Sequence, residues 1–123
     1  MTLISVSLMF GVVLKASAQT GAQTVEEVKK ELRETIALYV IAVAEEKGVD
    51  SNLALRVATC ESNLNHLAIG DKGKSFGLWQ IHEPSWPGTK EIALDPIKST
   101  DWAMEHLSKG RWGMWSCWKE IYL

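Results

Sequence analysis

Residues 61–82, ESNLNHLAIGDKGKSFGLWQIH, constrain this chain more than any other stretch. They open with a carboxylate, Glu61, at the end of an apolar, alanine-containing run of Leu53, Ala54, Leu55, Val57 and Ala58. Asp50 or Ser51 caps a helix through about Ser62, with an apolar stripe at Leu53, Val57, Cys60 and Leu64. At ~100° per residue, Glu61 falls beside that stripe, on the border between core and surface. A carboxyl group abutting apolar side chains is desolvated and keeps its proton to higher pH than one in water. It becomes a proton donor near neutrality. Helix position alone favours a surface glutamate ending a helix, and the Ser75-to-Ile81 segment downstream reverses that in favour of the donor. A polar loop holding Asn63, Asn65, Gly70, Asp71 and Gly73 follows, as a loop or short hairpin. Phe76 to Ile81 is too short for a helix before Pro84 and reads as extended. Gly77 would let another backbone or a ligand approach closely.

Glu61-Ser62, then Gly70-Asp71, then Ser75-Phe76-Gly77-Leu78-Trp79-Gln80-Ile81 resemble, in this order and spacing, the catalytic domain of soluble lytic transglycosylases, relatives of goose-type lysozymes. The similarity spans residues 34–118. It implies a mainly α, small lysozyme-like domain with a short extended or β-hairpin segment at the cleft. It implies Glu61 as the catalytic residue, and Ser75 and Gln80 lining the sugar cleft. The alternative for those two is a hydroxyl and an amide that satisfy local backbone. The implied reaction is cleavage of the β-1,4 bond between N-acetylmuramic acid and N-acetylglucosamine, with closure of a 1,6-anhydro ring. Glu61 serves as acid and then as base, so the reaction needs no second carboxylate, unlike paired-carboxylate glycosidases.

Two other functions stay open. Goose-type hydrolases carry acids around this loop, and Asp71 in Gly-Asp-x-Gly stands in that neighbourhood, so a muramidase that hydrolyses the bond is the first alternative. A further acid often found just after the Gln-Ile pair is replaced here by His82. The second alternative is a lysozyme-like glycan-binding protein without turnover. No metal or organic cofactor is implied, and the partner is a peptidoglycan glycan strand bound by a monomer.

The chain has 123 residues, enough for one domain, and 46% hydrophobic with 23% charged residues is an ordinary globular balance. Leu3 to Leu14 is a nearly continuous apolar run, followed by Ala16-Ser17-Ala18, a small-x-small cleavage site. Residues 1–18 therefore read as a secretory signal peptide, although no Lys or Arg precedes the run, and residues 19–123 as the catalytic domain. The run is short for a spanning helix, which needs ~20 apolar residues. Removing it takes only Lys15 among the charged residues and leaves 12 basic against 15 acidic side chains. That balance excludes a nucleic-acid partner and stable insertion in an anionic membrane. The expected location is periplasmic or extracellular. Cys60 and Cys117 suit an oxidising compartment as a disulfide, the alternative being two buried free thiols. Two Cys and three scattered His show no zinc-ligand spacing.

Around this centre the scaffold is helical. Thr24 and Glu27 form a capping box for a first helix with an apolar face at Val25, Val28, Leu32, Ile36, Tyr39, Val40 and Val43, stopped by Gly48. Ser99 or Thr100 caps a later helix, Asp101 to about Lys109. In many relatives a tyrosine on this helix faces the substrate. The matching position here is His106, a weaker candidate because a lone histidine on a helix is more often structural. All six tryptophans lie between 79 and 118. Most are expected in the core, with Trp79 as the one at the cleft, where an indole face stacks on a sugar ring.

Overall fold

The computed structural model describes residues 21–122, and the expected export segment, 1–18, lies outside the described residues. No helix among the described residues is long and apolar enough to cross a membrane. The described residues divide into two units between Leu32 and Arg33. Thr24 opens α1 (Val25–Glu46), its Oγ1 accepting the Glu27 amide at 3.1 Å, while Glu26 and Glu27 sit at the positive end of the helix dipole. The expected apolar face is buried only in its second half. Ile36, Val40, Val43 and Ala44 are buried, whereas Val25, Val28 and Leu32 are exposed. Every buried apolar side chain among the described residues belongs to the second unit, so periodicity overstated the face. Gly48, at φ +71°, ends the helix in a Schellman turn: its amide donates to Glu45 at 3.2 Å and that of Val49 to Ala44 at 2.8 Å.

Asp50 caps α2 (Ser51–Ser62), its carboxylate accepting the Leu53 amide at 3.1 Å. The buried face is Ala54, Val57 and Ala58, one position round from the expected Leu53–Val57–Cys60–Leu64 stripe. The alanines let α2 pack close, and the larger Leu53 and Leu64 are left half-exposed. Asn63 and Leu64, both left-handed at φ 54° and 59°, turn the chain away.

Three two-residue strands follow, β1 (Ile69–Gly70), β2 (Ser75–Phe76) and β3 (Ile81–His82), in an antiparallel meander. Ile69 pairs with Phe76 and Gly70 with Ser75; Ser75 pairs with His82 and Phe76 with Ile81. The stretch expected to be extended from Phe76 to Ile81 is therefore interrupted by a turn, 77–80. Gly77 and Gln80 adopt φ +80° and +46°, and the Gln80 amide closes the turn on the Gly77 carbonyl at 3.1 Å.

After an unanticipated short α3 (Lys90–Leu94), α4 runs Pro96–Leu107, starting several residues before the expected Asp101. Asp95 is its cap, accepting the Ile97 and Lys98 amides at 2.9 Å each, and Pro96 occupies the first helical position. Asp-Pro marks a helix start here; Ser99 and Thr100 are buried inside it. A final helix, α5 (Ser116–Tyr122), completes a mainly α domain with a small β-meander, as expected of a lysozyme-like chain. The core gathers Phe76, Leu78, Trp79 and Ile81 with Val57, Ala103, Met104, Leu107 and Trp115.

Candidate active site

Glu61 stands one turn beyond Val57 and Ala58 and so continues the buried face of α2 out to the protein surface. It is half-buried. Burial raises its pKa above the usual carboxylate range. The backbone amide of Cys117 and the hydroxyl of Ser116, which donates to Oε1 at 3.3 Å, pull the other way, and the charge of Glu120 adds a smaller upward push. Its seat in the last turn of α2, at the negative end of the helix dipole, also disfavours the ionised form.

The disulfide holds the carboxylate and its donors together. Cys60 and Cys117 are bonded, with Cα atoms 6.0 Å apart, so the residue before Glu61 is covalently tied to the start of α5, which carries both donors. The alternative of two free thiols is set aside. Cys60, Cys117 and Glu120 also form a compact trio of potential metal ligands, but the bridge consumes both thiolates and leaves one carboxylate.

Across from Glu61, the 77–80 turn is fastened by its carbonyls. Ser62 Oγ stands 2.7 Å from the Leu78 carbonyl, closer than the 3.1 Å to Ala58, and donates to it, so α2 holds the turn directly. Trp115 Nε1 donates to the Trp79 carbonyl at 2.8 Å. Gln80 Nε2 donates to the Gly77 carbonyl at 2.9 Å and to Ala68 at 3.2 Å. Gly77 cannot carry a side chain, since a Cβ would collide with the Ala93 carbonyl of α3. Gly70 likewise leaves room for the Gln80 carboxamide.

A cleft of about 570 Å³ opens between these parts. Glu61 lies on one wall, Asp71, Ser75, Gln80 and His82 on the sheet wall, and Met114 to Cys117 on a third. The structure thus brings together Glu61, Asp71, Ser75 and Gln80, four residues singled out from the sequence. Ser75 is buried, with Oγ 3.3 Å from Asp71 Oδ2 and 3.2 Å from His82 Nδ1; His82 Nδ1 is 3.0 Å from the same Asp71 oxygen. Asp71 holds a left-handed φ of 54°, and Asn63, Leu64, Lys72 and Gln80 are left-handed too. All five non-glycine residues of that kind among the described residues thus fall between 63 and 80, and two of them, Asp71 and Gln80, line the cleft.

Two expected site residues are elsewhere. Trp79 is fully buried, its indole donating to Thr100 Oγ1 at 3.1 Å, so it has no face to offer a sugar. The turn sends the Trp79 side chain inward and leaves its carbonyl to Trp115 Nε1. His106 does not line the Glu61 cleft. It packs against Trp102 and Trp86, with ring centroids 4.4 and 5.1 Å away, and accepts from Arg111 Nη1 at 3.0 Å. Burial, then the charges of Arg111 and Lys109, lower its pKa. Conversely, Ser62, Ser116 and the Cys117 amide were not legible as site groups. The adjacency of Cys60 to Glu61, once paired with Cys117, was the one clue to the last two.

Residues 38–116 match the family model of the transglycosylase SLT domain. No curated protein and no solved structure matches the chain.

Proposed function

The chain belongs to the transglycosylase SLT family, a family of glycan-cleaving domains that act on peptidoglycan, and from that premise we propose that it cleaves the β-1,4 bond between N-acetylmuramic acid and N-acetylglucosamine to leave 1,6-anhydromuramoyl ends. Protonated Glu61 gives its proton to the glycosidic oxygen as the bond to the muramic acid C1 breaks. The resulting carboxylate then accepts the proton of the muramic acid's own C6 hydroxyl as that oxygen bonds to C1. Glu61 ends protonated and no water is consumed. Both halves suit its surroundings: burial favours the acid, while Ser116 and the Cys117 amide hold the carboxylate once it forms. The observation that carries the reading is the half-buried Glu61 sharing one cleft with Ser75 and Gln80. Such a substrate, together with the disulfide, favours work outside the cytoplasm.

Mass spectrometry of digested sacculi tests the reaction. Anhydro products, lighter by one water than hydrolytic ones, are expected, and products carrying that water would overturn the assignment. Asp71 favours hydrolysis as a second reading, because a second carboxylate, pinned by His82 at 3.0 Å, lines the same cleft and could orient a water. Hydrolytic products that vanish in Asp71→Asn would establish that reading.

A further inference from the structure

We propose that His82 is a positioning residue: its Nδ1–H holds the Asp71 carboxylate and leaves the Ser75 hydroxyl proton free to turn to an oxygen of the bound glycan; this rests on the glycan-cleaving reading. Ser75 and His82 are paired residues of β2 and β3, so their side chains rise from the same face of the sheet. Asp71 comes one residue after Gly70, the partner of Ser75 on β1, and its left-handed φ of 54° begins the loop back to β2. All three side chains line the Glu61 cleft.

One ring nitrogen serves both neighbours. His82 Nδ1 lies 3.0 Å from Asp71 Oδ2 and 3.2 Å from Ser75 Oγ, and Ser75 Oγ lies 3.3 Å from the same Asp71 oxygen. A carboxylate oxygen only accepts, so the shortest side of this triangle puts a proton on Nδ1. Nδ1–H then donates to Asp71 and Ser75 together, and a hydroxyl that accepts in this way still has its own proton to give. Within the triangle that proton can go only to Asp71 Oδ2, at the longest of the three distances. This exceeds the usual O–H···O range of about 2.5–3.0 Å, so it is the bond most easily exchanged for one to a sugar oxygen. When Ser75 turns away, Asp71 keeps its His82 donor, and no acceptor loses its last partner. Without His82, Asp71 would have the Ser75 hydroxyl as its remaining donor in the triangle and would compete with the glycan for it.

The test has two arms, both on the full chain carrying Glu61→Gln. In the first, 15N spectra of the His82 ring at about pH 8.5, where imidazoles are neutral, report which nitrogen holds the proton. A protonated Nδ1 is expected, and an unprotonated one would overturn the role. In the second, the chain is titrated with tetra-N-acetylchitotetraose. Adding His82→Ala should weaken binding roughly fivefold to tenfold. His82→Asn, whose side-chain amide can stand where Nδ1 stands, should recover most of the loss, and His82→Phe should not. Thermal melting confirms that each variant remains folded. In a chain already carrying Ser75→Ala, His82→Ala should add little, because the effect runs through Ser75. Rescue by phenylalanine, full additivity with Ser75→Ala, unchanged affinity in His82→Ala, or no binding by the parent would each overturn the role. Sacculus digestion by the wild-type chain runs in parallel. Anhydro products with unaltered affinity in His82→Ala remove the role and keep the reaction, whereas asparagine-rescued binding without cleavage removes the reaction and keeps the role.

Discussion

Cys60 and Cys117 are joined across 57 residues, and the bond ties the residue before Glu61 to the one whose amide meets the Glu61 carboxylate. Closing a loop of that length restricts the unfolded chain and stabilises the fold by about 4 kcal/mol. Replacing both cysteines by alanine is expected to lower the unfolding free energy by about that amount in denaturant titrations. For a domain whose whole stability is of the order of 5–15 kcal/mol, this is a large share. A loss below about 1 kcal/mol would mean that the bridge does not constrain the chain in solution.

Ser116 sets where the acid titrates. Its hydroxyl favours the ionised form of Glu61, so Ser116→Ala should raise the Glu61 pKa further. A reaction that begins with protonated Glu61 loses rate as pH rises through that pKa, so the alkaline limb of kcat/KM should move to higher pH in the variant. A limb that stays in place, or moves down, would show that this limb does not report Glu61.

Much of this site was legible before any coordinates. Glu61-Ser62 and the Ser75-to-Ile81 segment, through the family they resemble, pointed to a cleft shared by Glu61, Ser75 and Gln80 with a short hairpin beside it, and the structure brings those residues together next to a β-meander. The failures have particular physical causes. Phe76 to Ile81 looked extended because left-handed φ at Gln80 leaves no mark in residue type, and that angle, together with the left-handed Gly77, turns the segment into a hairpin with Trp79 pointing inward. The helix cap was expected at Ser99 or Thr100 because Asp95-Pro96 suits a turn as well as a capped helix start, and only the amides of Ile97 and Lys98 decide between them. Ser62 was legible only as half of a motif. Its bond to the Leu78 carbonyl spans 16 residues, and no local pattern encodes such a contact.

Gly77 is where the β-meander touches α3. An L-residue at φ +80° costs about 1–2 kcal/mol, and a Cβ there would also run into the Ala93 carbonyl, which as helix backbone cannot move aside. Gly77→Ala should therefore destabilise the protein by about 3 kcal/mol or more and displace Gln80 from the cleft. Gly73 is the control: its φ is +83°, but a Cβ there meets nothing within 4 Å. Gly73→Ala should cost only the conformational share, about 1–2 kcal/mol. Equal losses in the two variants would show that the approach to α3 is not tight in solution.

Glu61→Gln separates the chemistry of the carboxylate from its place in the fold. Activity against sacculi should fall about a hundredfold to ten-thousandfold, since glutamine can neither give nor take the proton. Stability should change in the opposite sense, and with pH. Burial holds the folded pKa of Glu61 above its unfolded value, so the folded chain keeps this proton over a range in which the unfolded chain has lost it. Within that range the wild type loses stability as pH rises. Above the folded pKa it carries a half-buried charge that glutamine lacks. The stability difference should therefore turn in favour of Glu61→Gln as pH rises from below the ordinary carboxylate range through the Glu61 pKa, and then level off. Denaturant unfolding of both proteins across that range measures it. A difference independent of pH would mean that the carboxylate is as well solvated in the folded protein as in the unfolded chain, and a poor proton donor at neutrality. Equal clearing of sacculi by the two proteins would remove Glu61 from the mechanism, whatever its pKa.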